Sequence, residues 1–185
     1  MTGLAAPDTP LCWDATFPSL RLEGPGARDF LQGQTSADFQ TSQTELISSC
    51  WLTATGRLRA LLEIRLDPLG ADVLILAGDA DQVSAGFDQV IFPADRVRLQ
   101  PAGRQRRLQA LFGDTRVQWL AADAALPEDW GSWPAADAES LERWRIMHGM
   151  PTGRGEMSGD TNPYELGLAH WASLSKGCYL GQETM

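Results

Sequence analysis

The sequence lacks the features of a membrane-embedded or secreted protein. None of its stretches approaches the roughly 18 to 20 consecutive apolar residues that a membrane span needs. The segment Met1 to Pro10 has neither the basic nor the apolar region of a secretory signal. We therefore expect a cytoplasmic protein that does not bind membranes.

Cysteine and positive charge are also scarce. Cys12, Cys50 and Cys178 are far apart, and no Cys-x-x-Cys or histidine pair has metal-ligand spacing, so we predict neither a disulfide framework nor a metal site. A net charge of −9 disfavours direct binding of nucleic acid phosphates. The local exception, Arg104-Gln105-Arg106-Arg107, is interpreted as a solvated loop or a strand edge.

The common nucleotide-binding and hydrolase motifs are missing as well. The sequence contains no P-loop, no Rossmann glycine pattern, no nucleophile elbow and no internal repeat. What it does contain is material for a core, since 43% of its residues are apolar and seven are tryptophan. The chain is long enough for two small lobes, which we place at residues 1–100 and 101–185.

The pattern of apolar residues predicts an α+β fold. Up to residue 100, short strands alternate with two helical segments, and the connections are of antiparallel length, which favours split βαβ (ferredoxin-like) lobes over a doubly wound parallel sheet. Residues Ala121 to Asp137 are predicted to be a long surface connection. The predicted strands are 19–22, 44–52, 57–66, 72–77, 96–100, 107–112 and 116–120, and the predicted helices are 27–32, 78–91 and 138–148.

The densest group of chemically active residues is Lys176-Gly177-Cys178-Tyr179-Leu180-Gly181-Gln182-Glu183. Its two glycines let the backbone approach a ligand or a partner, and Lys176 would favour the thiolate of Cys178. Gln182 and Glu183 have groups that hydrogen-bond to a polar ring edge. A glycine-bounded structural turn with a small buried thiol fits the composition equally well.

This run resembles the Lys-Gly-Cys-Tyr-x-Gly-Gln-Glu signature of the YgfZ family, with every fixed position present. Other segments look like the same family over about residues 19 to 183. They are Gly24-Pro25 with Ala27, Phe30 to Thr35 with Asp38, Cys50 to Arg57, Arg145-Ile146, Gly149 to Pro151, and Pro163 to Leu166.

The resemblance implies a fold and a ligand. The YgfZ family and the glycine-cleavage T-protein, an aminomethyltransferase, share a folate-binding fold, so we expect a pocket for tetrahydrofolate or a derivative between the lobes. The pterin edge needs a paired donor and acceptor, for which Gln34, Asp38 and Glu165 are candidates. The glutamate tail needs a cation, for which Arg57 and Arg145 are candidates.

Two departures from the relatives are visible in the sequence. The T-protein has an Asp pair where Ala60-Leu61 stand here, and one of those aspartates is the acid-base group of the transferase. Family members also continue past the signature into a C-terminal barrel-like domain, whereas this chain stops at Met185, so we expect that domain to be absent.

Three functional hypotheses follow. The first is a folate-binding accessory protein, not a classical transferase, that supports assembly or repair of iron-sulfur enzymes and thereby tRNA modification, with Cys178 as its reactive thiol. Its expected partners are folate and iron-sulfur enzymes or assembly factors. The second is a folate-dependent aminomethyltransferase of the glycine cleavage system, with Glu63 or Asp38 replacing the missing pair. The third is a binding module that recruits a basic protein without folate.

Overall fold

The computed structural model describes residues 10–152 and 155–185, with the backbone alone at Ala102. Contacts divide the chain into two units. The smaller unit consists of Met1–Phe17 and Gln105–Met150, and the larger unit of Pro18–Arg104 and Pro151–Met185.

Six strands and four helices occur along the described residues. The strands are β1 (Leu11–Glu23), β2 (Ile47–Leu52), β3 (Leu58–Asp67), β4 (Gly70–Gly78), β5 (Arg98–Leu111) and β6 (Val117–Leu120). The helices are α1 (Ala27–Gln34), α2 (Ala80–Asp88), α3 (Glu128–Gly131) and α4 (Ala138–Met147).

The larger unit is a split βαβ arrangement with one strand added. Its sheet has the order β2-β3-β4-β1-β5. Because β1 is antiparallel to β4 and β4 is antiparallel to β3, β1 and β3 run in the same direction with β4 between them. The connection from β1 to β3 carries α1 and β2, and α2 connects β4 to β5. This confirms the predicted α+β class and its split βαβ topology.

The main core of the larger unit lies between this sheet and the helices α1 and α2. Phe87 of α2 meets Phe30 of α1 and Trp51 of β2 edge-on, with ring centroids 5.5 and 5.9 Å apart. Such aromatic contacts add to the free energy gained from burial alone. Strands β1, β3 and β4 contribute the buried residues Leu20, Leu22, Ala60, Leu62, Ile64, Ala71, Val73 and Ile75.

Aspartate side chains fix the starts of two helices. Oδ1 of Asp79 accepts hydrogen bonds from the backbone N–H groups of Asp81 and Gln82 at 3.0 and 3.1 Å, which begins α2 at Ala80. Asp137 accepts from the backbone N–H of Ser140 at 2.8 Å and begins α4 in the same way. Both are the N-cap residues that helices prefer, and α2 begins two residues later than predicted.

The smaller unit contains the N-terminal half of β1, the C-terminal half of β5, and β6. Trp130 is buried here, and the guanidinium of Arg116 lies over the rings of Trp130 and Trp133 at 5.4 and 4.4 Å. The predicted surface connection at 121–137 therefore contains the short helix α3 and part of a small core.

The structure divides the chain differently from the predicted boundary after residue 100. Strand β5 continues from Arg98 to Leu111, because Pro101 and the basic run at 104–107 stay within one extended strand rather than separating two. Residues Pro151–Met185 belong with Pro18–Arg104, so the larger unit is discontinuous in sequence. Among the described residues, no helix is long and apolar enough to cross a bilayer.

The returning segment is held to the sheet of the larger unit by hydrogen bonds. The backbone N–H of Leu58 donates to Thr161 O at 2.8 Å, and the hydroxyl of Ser36 donates to Trp171 O at 2.6 Å. The N–H of Ser173 donates to Ser36 O at 2.8 Å. Sequence positions about 135 residues apart are thus joined beside β2.

Gly86 supplies a test of this packing. A Cβ at Gly86 would lie 2.4 Å from Cζ2 of Trp51, whereas a Cβ at Gly33 of α1 would meet nothing within 4 Å. We predict that Gly86→Ala lowers the free energy of unfolding by about 1–3 kcal/mol through overpacking. Gly33→Ala should raise it by about 0.5–1 kcal/mol, as expected for helical Gly→Ala. Urea unfolding of both variants measures the difference, and stabilisation by Gly86→Ala would contradict the packing.

Candidate functional site

The signature segment, Lys176 to Glu183, is docked on the loop that follows α1. Nζ of Lys176 donates hydrogen bonds to the carbonyl oxygens of Gln32, Thr35 and Ala37, at 2.8, 2.5 and 2.5 Å. The backbone N–H of Leu180 donates to Gly33 O at 3.1 Å. The lysine therefore joins the two ends of the larger unit's sequence through its three N–H donors.

The ammonium of Lys176 is buried without a close carboxylate. Its side chain faces the ring of Tyr179, with Nζ 4.4 Å from the centroid, and the residue is 9% exposed. Burial lowers the pKa of Lys176 to about 8, and the negative charge of Asp38 opposes that shift. At neutral pH the group is still charged, and carbonyl dipoles with an aromatic face replace its hydration.

Lys176 is the only lysine of the chain, which otherwise carries fourteen arginines. That count is the signal in the sequence that distinguishes this lysine from the other cations. A guanidinium is planar and presents its donors in a fork, whereas an ammonium is compact with three rotatable donors. Three carbonyls around one nitrogen match the ammonium.

Gly181 of the signature segment packs against the turn between β2 and β3. Its φ is +80°, and a Cβ would lie 2.4 Å from Thr53 O and 3.0 Å from Cα of Gly56. Gly56, with φ of +72°, faces it: a Cβ there would lie 3.0 Å from Gly181 O. The two glycines permit the approach of two backbones. Gly177, by contrast, has open space where its Cβ would be.

Cys178 is exposed, and the other two thiols are not. Burial raises the pKa of Cys50 to about 12 and also raises that of Cys12, so both remain thiols at neutral pH. The sequence predicts that Lys176 favours the thiolate of Cys178, but its three N–H donors are hydrogen-bonded to backbone carbonyls instead. Cys178 therefore has access to solvent without a hydrogen bond from this ammonium.

The remaining signature side chains differ in exposure. Tyr179 is buried, its hydroxyl has no hydrogen-bond partner among the described residues, and burial raises its pKa to about 12. Gln182 is half-buried and Glu183 is exposed, and both lie in a short 3₁₀ turn that ends at Thr184. Within the segment, Lys176, Tyr179 and Gly181 are packed against the rest of the unit, whereas Cys178 and Glu183 are exposed to solvent.

Asp38, a candidate for the pterin edge, orders its own loop. Its carboxylate accepts hydrogen bonds from the Thr41 hydroxyl at 2.6 Å, the Gln40 backbone at 3.0 Å and the Gln32 side chain at 3.1 Å. The bond from Thr41, above all, lowers the pKa of Asp38. Gln34, at the end of α1, instead lines a separate cavity of about 520 Å³ between α1 and residues 90–96.

The other candidates are engaged in ion pairs. Arg57 and Glu165 are brought together by the structure, with Nη1 and Oε2 3.5 Å apart, and both side chains are largely exposed. Glu165 also accepts from the backbone N–H of Asn162 at 2.7 Å. Arg145 lies in the smaller unit, where it binds the carboxylate of Glu142 and donates to Met150 O at 3.0 Å. Contact of these residues with folate stays a prediction.

A cavity of about 720 Å³ opens in the larger unit beside the turn that contacts Gly181. It is within the size range of small-molecule sites, about 300–1,000 Å³. Its apolar lining is Leu58, Leu76, Ala77, Pro151 and Met157, and its remaining lining is Thr53, Arg59, Gly78, Asp79, Gln82, Thr152, Gly155, Ser158 and Gly159. None of these residues is a site candidate from the sequence, because they are scattered over four segments of the chain.

The positions of the missing Asp pair are fully buried. Ala60 and Leu61 are 0% exposed on β3, and Glu63, two residues further, is 4% exposed. An alanine and a leucine have no proton to exchange, so this part of β3 offers packing rather than acid-base chemistry.

Comparison with known proteins gives limited similarity. No family model matches the chain. It is 39% identical over 66 residues to "Putative transferase At1g60990, chloroplastic" of Arabidopsis thaliana, a stretch that is 36% of this chain and 13% of the relative. Glycine cleavage system aminomethyltransferase T from Bartonella henselae superposes with a TM-score of 0.45 and 18% identity, over 55% of this chain and 28% of that one.

The docking of the signature segment is testable through its only lysine. In Lys176→Met the carbonyls of Gln32, Thr35 and Ala37 lose this donor, so we predict that the backbone amides of Leu180 and Ser173 exchange with solvent about 10-fold faster or more. Amides of the β3–β4 pairs should keep their protection. Hydrogen exchange followed by NMR measures both.

Leu174→Ala is the matched control, because Leu174 lies two residues away with an exposed side chain. Its exchange pattern should equal that of the unaltered chain. Unchanged protection of Leu180 in Lys176→Met would mean that the lysine does not hold the segment.

Proposed function

We propose that this chain is a folate-binding accessory protein of the YgfZ type, which supports assembly or repair of iron-sulfur enzymes and thereby tRNA modification. The observation that carries the proposal is the contact between signature and cavity. Gly181 packs on the turn from Thr53 to Gly56, and Thr53 is also part of the cavity wall. A signature that resembles a folate-binding family thus supports a cavity of ligand size.

The cavity suits tetrahydrofolate or a derivative. Leu58, Leu76 and Met157 offer apolar contact to a flat ring, and the side chains of Gln82 and Ser158 offer donors and acceptors to a pterin edge. A one-carbon derivative of tetrahydrofolate, bound there, would supply a one-carbon unit linked to a ring nitrogen. The chain's own residues would bind and orient it and would exclude water from its rings.

The absence of a free carboxylate on β3 favours an accessory role over aminomethyl transfer. Ala60 and Leu61 are buried apolar residues, and Asp38 is committed to three hydrogen bonds within its loop. Glu63 is buried and has interactions of its own. For the alternative, a folate-dependent aminomethyltransferase, the Arabidopsis relative is named only as a putative transferase, and the chain covers 13% of it.

In this proposal Cys178 is the group that meets the partner. It is exposed, whereas Cys12 and Cys50 are buried with raised pKa values. An accessible thiolate attacks a partner disulfide and releases one of its sulfurs as a thiolate, or binds a soft metal centre such as iron bound to sulfide. The acidic surface, with a net charge of −9, favours protein partners over direct contact with RNA.

A calorimetric titration with tetrahydrofolate and its 5-formyl derivative tests ligand binding. We expect saturable binding by the chain and a loss of about 10-fold or more in Ser158→Trp, because an indole would fill part of the cavity. Thr44→Trp adds the same side chain at an exposed position outside the cavity and should bind normally. Equal binding by Ser158→Trp, or none by the unaltered chain, would contradict the proposed site.

A variant of Cys178 tests the role of the thiol separately from folate binding. Cys178→Ser should bind tetrahydrofolate with unchanged affinity, since the proposal gives the thiol a role toward partners. In cells that depend on such a factor, it should fail to restore tRNA methylthiolation, measured by mass spectrometry of nucleosides. Full restoration by Cys178→Ser would exclude the role of the thiol.

A further inference from the structure

Arg59 is a cation held at the cavity without an anion. Its guanidinium lies over the indole of Trp51, with Cζ 5.3 Å from the ring centroid, and Arg59 lines the cavity. No ion pair or hydrogen bond of its side chain occurs with any residue in the described ranges 10–152 and 155–185. The guanidinium is thus left with unused N–H donors.

The support under this guanidinium is rigid. Arg59 lies on β3 between Leu58 and Ala60, which are 1% and 0% exposed. Trp51 is 3% exposed and is confined by the edge of Phe87 and by the backbone at Gly86. A cation stacked on a fixed aromatic ring is positioned before any ligand binds, which lowers the entropic cost of binding.

The other charged residue of the cavity wall does not need a partner. Asp79 accepts two backbone hydrogen bonds at the start of α2, and its second oxygen accepts from the side chain of Gln82 at 3.2 Å. Its charge is therefore used in capping the helix. The backbone N–H groups of Asp81 and Gln82 donate to Asp79 in these contacts. Neither N–H group at the start of α2 is therefore free to bind an anion.

We propose that Arg59 binds a carboxylate of the ligand in the 720 Å³ cavity and so selects ligands that carry a glutamate tail. The inference rests on the proposed folate-binding function and names the group that recognises one part of the cofactor. A guanidinium binds a carboxylate with two parallel hydrogen bonds, and the free carboxylates of folate lie on its glutamate. Arg57 and Arg145, the arginines selected from the sequence, are already paired with Glu165 and Glu142.

The test compares ligands with and without the glutamate. Tetrahydrofolate and tetrahydropteroate share the pterin and benzoyl parts, and only the first carries the glutamyl carboxylates. We expect Arg59→Met to weaken tetrahydrofolate binding by about 10- to 100-fold and to leave tetrahydropteroate binding unchanged. Arg59→Lys should lie between, because an ammonium keeps the charge but not the fork. Arg98→Met removes an equal charge from an exposed position outside the cavity and should change neither affinity.

Equal losses for both ligands would overturn the inference, since Arg59 would then shape the cavity rather than bind the tail. No loss for tetrahydrofolate would overturn it as well. Titration with p-aminobenzoylglutamate separates this inference from the proposed function. If this fragment binds through Arg59 while tetrahydrofolate does not bind, the carboxylate site is retained and the folate cofactor is rejected.

Discussion

The ammonium of Lys176 and the three carbonyls that surround it are the interaction on which the signature segment depends. A charged group can remain buried only if its hydration is replaced, and here the carbonyls of Gln32, Thr35 and Ala37 with the ring of Tyr179 replace it. Removing one member would leave the others unsatisfied in a buried setting. The arrangement therefore fixes where the last residues of the larger unit lie.

The docked segment contacts a wall of the cavity through a pair of glycines, Gly181 and Gly56. Once Lys176 docks the segment, Gly181 meets Gly56 and the carbonyl of Thr53, and the turn between β2 and β3 is supported from one side. Thr53 of that turn lines the cavity, and Arg59 of β3 lines it as well. The signature segment thus packs against one wall of the cavity without lining it, while Cys178 remains exposed.

The fold of the larger unit follows from local sequence patterns. The β-rich runs at β3 and β4, the connection with Gly56 and the helical spacing of apolar residues in 78–91 predict the split βαβ order, which the structure confirms. The continuity of β5 could not be predicted in this way, because Pro101 and four polar residues interrupt its apolar pattern. The return of 151–185 to the first hundred residues depends on hydrogen bonds between distant positions, such as Ser36 with Trp171, which no local pattern contains.

The candidate site, like the fold, could be predicted from the sequence only in part. The signature motif identifies Lys176, Cys178 and Gly181 from the sequence, but the role of the lysine follows only from the carbonyls that the fold brings to it. The sequence does not distinguish Arg59 from the other arginines, because only the fold shows which arginine has a carboxylate nearby. Arg57, two residues earlier, is paired with Glu165, whereas Arg59 is not paired with any residue that the structure describes. The resemblance to the YgfZ family is strongest at the signature, and membership of that family stays a prediction.

The most direct test of this account is the dissociation constant of tetrahydrofolate for Lys176→Met, measured on protein whose circular dichroism shows that it remains folded. Lys176 is not among the residues that line the cavity. If the lysine supports the cavity through Gly181 and the Thr53–Gly56 turn, the variant should bind tetrahydrofolate about 10-fold more weakly or worse, a loss of ~1.4 kcal/mol or more. An unchanged dissociation constant would show that the signature and the cavity are independent and would contradict the account.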